Sequence, residues 1–146
     1  MESSHQVDRE LIVRTARSLL RPRVLFRPYG RDPKYGLDCI GVVEWVGKQC
    51  GVLPVDLTIP PYAYPPQREA FGLFEEHMDR SMIPAQGAVA IIASADAPRH
   101  TGIVDWADEK WKCIGIDVYG QRPWVTIIPL ELEMVWRFYD FRLAQN

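Results

Sequence analysis

Tyr35-Gly36-Leu37-Asp38-Cys39-Ile40-Gly41-Val42-Val43-Glu44-Trp45-Val46 is the stretch on which the fold turns. Ahead of it lies a run of chain breakers, Pro28-Tyr29-Gly30-Arg31-Asp32-Pro33-Lys34-Tyr35-Gly36. Behind it, Ile40, Val43 and Val46, with Val42 and Trp45, recur at helical spacing as far as Gly47-Lys48-Gln49-Cys50-Gly51. Cys39 therefore stands where a loop becomes a helix, and Asp38 is placed to cap it. The free N–H groups and dipole at a helix start favour an anion. They predict a lowered thiol pKa and offer donors for an oxyanion. Cys39 is a candidate nucleophile; the plain alternative is a small buried residue opening a helix.

A second stretch, Pro98-Arg99-His100-Thr101-Gly102-Ile103-Val104-Asp105-Trp106, reads as a strand that opens on a histidine. Asp-Cys-x-Gly at a helix start, followed downstream by His-x-Gly-Ile-Val on a strand, resembles the NlpC/P60 family of cysteine peptidases. More narrowly, it resembles the small members encoded with phage tail and gene-transfer-agent genes. The resemblance runs from about Pro28 to the end, with a poorly matched middle. It implies an α+β, papain-like fold, with N-terminal helices packed on an antiparallel sheet of about five strands.

The same resemblance implies roles. Cys39 is the nucleophile and His100 the base. The third group lies on the strand after the base, where Asp117-Val118-Tyr119 fits the phage-type pattern, so Asp117 is expected to orient His100. Asp38 would help bind the free amine of the substrate. Tyr29, in Pro28-Tyr29-Gly30, would hold substrate or polarise its carbonyl, and Tyr35 matches less well. Two departures stand out: Ile40 replaces the usual Ser after the nucleophile, and Ala88 replaces an Asp at a strand start. The implied activity is hydrolysis of amide bonds in peptidoglycan stem peptides, near the bond from D-glutamyl to a diamino acid. The implied partners are bacterial peptidoglycan peptides and phage tail or baseplate proteins. The chemistry asks for no metal and no cofactor.

Composition agrees with this. The chain has 146 residues, the size of one domain. Its net charge of -2 offers nothing to capture nucleic acid or anionic lipid. No apolar run is long enough to span a membrane. The start, Met1 to Glu10, is polar and does not read as a secretory signal. A wall enzyme of this kind is expected to be made in the cytoplasm and carried to the cell wall in a tail or tail-like particle. Cys39, Cys50 and Cys113 are an odd number without CxxC spacing, which argues against a disulfide framework and a zinc site.

Along the chain, Leu11, Ile12, Ala16, Leu19 and Leu20 predict a helix from Val7 to Leu20, ended by Pro22. Arg14, Arg17, Arg21, Arg23 and Arg27 read as its solvated surroundings. Residues 51–66 carry Pro54, Pro60, Pro61, Pro65 and Pro66 with Tyr62 and Tyr64, an extended connection able to wall a cleft or to dock a partner. A second helix is expected over Gln67–Met82, with His77 on a charged face. Strands are expected at 87–92, 99–106, 111–117, 124–128 and 135–141, with a hairpin at Ala107–Lys110. Two further readings remain open: a tail or baseplate component that keeps the fold without activity, and an enzyme that transfers the acyl group.

Overall fold

In the computed structural model, residues 4–63, 66–94, 97–116 and 122–142 are described. In chain order the elements are α1 (Ser4–Arg17), β1 (Arg31–Asp32), β2 (Gly36–Leu37), α2 (Cys39–Gln49), α3 (Gly72–His77), β3 (Met78–Ser81), β4 (Val89–Ser94), β5 (Ala97–Ala107), β6 (Lys110–Gly115), β7 (Thr126–Pro129) and β8 (Val135–Phe141). Short 3-10 turns follow α1 and precede α3 and β8. β1 and β2 form a small hairpin, and the other six strands make one antiparallel sheet in the order β3-β8-β4-β5-β6-β7.

Strand alternation sorts the core. Val89, Ile91, Ile103 and Ile114 belong to the main cluster, together with Ile40, Val43 and Val46 of α2 and Ile12 and Ala16 of α1. The intervening residues Ala88, Ala90, Val104 and Cys113 join Leu130 in a second, smaller cluster. Ile103 faces Ile114 across the ladder and Val104 faces Cys113, so register assigns each pair to one cluster. Helix α2 lies between layers: Cys39 through Glu44, Val46 and Gly47 are all buried. A helix apolar on nearly every side is stable only in such a place. Its end is a Schellman turn. Gly51 takes a left-handed φ of 71°, while the N–H groups of Gly51 and Val52 donate to the carbonyls of Lys48 and Gly47 at 3.2 and 2.9 Å.

Three expectations change. The helix expected over Gln67–Met82 is only six residues long and stops at His77. Met78 swings to φ -133°, ψ 164°, and residues 78–81 pair with β8 as the sheet's sixth strand. Four residues at a sheet edge gain backbone hydrogen bonds that an exposed last helical turn would lack. The strand expected over 124–128 runs from Thr126 to Pro129. Finally, Arg17 is not simply solvated. Its Nε donates to Asp105 at 2.8 Å, and Asp105 is fully buried.

Candidate active site

Asp38 caps α2 as the sequence predicts. Its Oδ1 accepts the Gly41 N–H at 2.7 Å from an extended backbone. Gly41 is dictated by space, because a Cβ there would overlap the Gly30 carbonyl and meet Arg31 Nη1 at 3.0 Å. The breaker loop is thus pressed against the first turn of α2. Ile40, which departs from the usual Ser, is buried in the main core.

Cys39 is 0% exposed. The backbone N–H groups of Thr101, Ile40 and Cys39 itself all act on its sulfur in the direction of an anion. Burial outweighs them and, with the Asp38 charge as second cause, pushes the thiol up to about 12. The expectation of a lowered pKa is therefore reversed: the helix start supplies donors, but removal of water costs more than they return. Thr101 directly follows His100, so the thiol meets β5 one residue from the candidate base. His100 is half-buried. It pairs with Ile92 next to a register shift, and its Cε1 lies 3.5 Å from where a Cβ on Gly115 would stand. Gly102 has its own reason, since a Cβ there would run into Cys113 Sγ and lie 2.6 Å from the Ile114 carbonyl. Asp117 lies outside the described residues, two positions beyond the end of β6. His77 ends α3 beside Glu76, 3.7 Å away, and Tyr35 is 62% exposed.

Around Asp38 stands a polar cluster that pattern alone did not single out. Arg31 Nη1 donates to Asp38 Oδ1 at 2.9 Å and to the Gly30 carbonyl at 2.8 Å. Arg31 Nη2 donates to Tyr62 Oη at 2.8 Å, and Arg31 Nε meets Glu44 Oε2 at 2.8 Å. Lys48 Nζ holds the other Glu44 oxygen at 2.9 Å and donates to the Leu57 carbonyl at 2.7 Å. Asp38 Oδ2 accepts the Tyr62 hydroxyl and, at 3.1 Å, the Tyr29 N–H. Tyr29 reaches that N–H geometry from a left-handed φ of 60°, and its hydroxyl donates to the Tyr62 carbonyl. Asp38 is thus fully buried and already bonded on both oxygens. To bind a substrate amine it would have to give up one of these partners. Burial and the Asp38 charge push the Tyr62 phenol up, so it stays a donor.

Glu44 and Lys48 were legible as an i,i+4 pair on α2. Arg31 and Tyr62 carried no local signal, because their meeting joins residues 31 apart. A cavity of about 460 Å³ opens beside the cluster, lined by Tyr29, Arg31, Glu44, Lys48, Ile59 and Tyr62 among others. The proline-rich strap also walls a second cavity of about 420 Å³ that reaches Gln67 and Glu76. The expectation that this stretch walls a cleft holds for its described part; Tyr64 and Pro65 lie outside it. Among the described residues no helix is long and apolar enough to cross a membrane, and no group of His, Cys, Asp and Glu could hold a metal ion.

No protein-family model matches the chain, and no curated protein matches it. Among solved structures, the NlpC/p60 domain of the peptidoglycan hydrolase SagA superposes with a TM-score of 0.56 at 17% identity, over 90% of this chain and 97% of that one. The helices and the six-stranded antiparallel sheet thus make up a chain with the fold of an NlpC/p60 domain.

Proposed function

We propose that the protein is a cysteine peptidase that hydrolyses amide bonds in the stem peptides of bacterial peptidoglycan, at the bond from D-glutamyl to a diamino acid, as part of a phage tail or tail-like particle. The observation that carries this reading is the Thr101 N–H on the Cys39 sulfur. It puts a thiol at a helix start against β5, one residue from His100, the fourth residue of that strand. In the reaction His100 takes the thiol proton and Cys39 attacks the amide carbonyl. N–H groups at the start of α2 receive the oxyanion. His100 then gives the proton to the leaving amine, and water, activated by the same imidazole, releases the acid and regenerates the thiol. Asp117 orients His100, and Tyr29 helps to hold the substrate or polarise its carbonyl.

The test is incubation with purified muropeptides and mass spectrometry of the products. Cys39→Ala is expected to abolish cleavage at a stability cost of about 1 kcal/mol. One observation favours a second reading, a tail component that keeps the fold without activity: Cys39 is wholly buried. Particles carrying Cys39→Ala that deliver DNA as well as wild type, with no muropeptide cleaved by either, would decide for that reading.

A further inference from the structure

We propose that Arg31 is a positioning residue for the thiol: by pairing with Asp38 it offsets part of the carboxylate charge beside Cys39 and so lowers the cost of forming the thiolate. The inference rests on the peptidase reading only in taking Cys39 as the reactive thiol.

The argument is geometric. Asp38 adjoins Cys39 and is fully buried, so water does little to screen its charge. A negative neighbour opposes a second negative charge, and Asp38 does act on the Cys39 thiol in that direction. Arg31 is ion-paired to Asp38, and its fork is held by hydrogen bonds to Asp38 and Tyr62 and by an ion-pair contact with Glu44. Lys48 in turn holds Glu44, so the Glu44 charge is shared between two cations. Asp38 is the charged group acting on the thiol; joined to it directly or through one another are Arg31 from β1, Tyr29 from the breaker loop, Tyr62 from the strap and Glu44 and Lys48 along α2, while His100 stands on β5 beside Thr101. Taken as ions, Arg31 and Lys48 cancel Asp38 and Glu44. Remove Arg31 and the buried Asp38 carboxylate next to Cys39 loses this cation. A lysine cannot replace it, because one ammonium cannot reach three partners in a plane as a guanidinium does.

The test reads thiolate formation without needing turnover. The intact chain is alkylated with iodoacetamide at a series of pH values, and each cysteine is followed by peptide mass spectrometry. Cys39 and Cys113 are both buried, so a wild-type Cys39 rate no faster than that of Cys113 means that neither thiol reacts short of unfolding and overturns the proposal; Cys50 is part-exposed and serves as an internal standard. Arg31→Gln is expected to slow Cys39 alkylation about tenfold below its midpoint, a shift of about one pH unit upward, with Cys50 unchanged and Cys113 protected. Arg31→Gln combined with Asp38→Asn is expected to recover the wild-type rate. Asp38→Asn alone, which keeps Arg31, is expected to speed Cys39. An unchanged Cys39 rate in Arg31→Gln with Cys113 protected overturns the proposal. If Arg31→Gln exposes Cys113, the Asp38→Asn result decides, and a Cys39 rate equal to or slower than wild type overturns it. Failure of the peptidase reading is seen separately, as muropeptide cleavage that survives Cys39→Ala.

Discussion

At the residue scale, two glycines show why the short motifs take the form they do. Gly41 and Gly102 stand where another backbone passes within contact distance: the Gly30 carbonyl for one, the Ile114 carbonyl for the other. Neither neighbour is the far end of a flexible side chain, so neither can give way cheaply. Gly41→Ala and Gly102→Ala are each expected to cost about 3 kcal/mol, read as a fall in the urea midpoint at constant m. Gly72→Ala is the control, because open space surrounds a Cβ there. A Gly41→Ala midpoint equal to that of the control would show that the loop does not press on α2. Asp38 and Cys39 were legible from local geometry, a cap and a helix start, whereas Gly41, His100 and Gly102 stood out only through the resemblance of two short motifs to a known pattern. Arg31 and Tyr62 were not legible, since what gives them meaning is one buried carboxylate reached from two distant segments. The pKa direction at Cys39 was misjudged for a similar reason. Sequence shows the helix start, but not the core packed over it.

At the element scale, α1 is tied to the sheet through charge as well as apolar contact. Asp105 points into the layer between them and is bonded by Arg17, by Gln86 Nε2 at 3.0 Å and by the Trp106 N–H at 2.8 Å. Arg17→Met would leave a buried carboxylate with only neutral donors. The pair is half open to water on the arginine side, which discounts the loss. The expected cost is about 2 kcal/mol, checked by chemical denaturation. Arg17→Met with Asp105→Asn should lose less than Arg17→Met alone, because no buried charge is then stranded. The arginines after Ile12 looked like a solvated face because helical period marks which side is polar. It does not say that one of those polar residues reaches over the edge to a strand far along the chain. The end of α3 was misread on the same ground. Met78 continues an apolar pattern that fits a helix, while pairing with β8 is a long-range choice.

At the scale of the molecule, each of the two apolar clusters holds a buried thiol, Cys39 of α2 in the main one and Cys113 of β6 in the smaller one. The predicted meander from β4 to β6 set this up. The placing of β8 between β3 and β4 did not follow from chain order, because it needs the last strand to return across the sheet. Both thiols are pushed up to about 12 from an ordinary 9.0, Cys113 by burial alone. Because the folded value is the higher one, the folded protein binds more protons above pH 9. The stabilisation is whole below that pH and drains away as pH rises towards 12, by up to about 4 kcal/mol for each thiol. Lysine and tyrosine ionisation adds to any alkaline loss, so the contrast must come from a variant. Cys113→Ala should begin less stable at pH 8, because it leaves a gap beside Gly102. Its urea midpoint should then fall less steeply than wild type between pH 9 and 10.5. Parallel slopes for the two proteins would mean that Cys113 ionises as readily folded as unfolded, and that water reaches the second cluster.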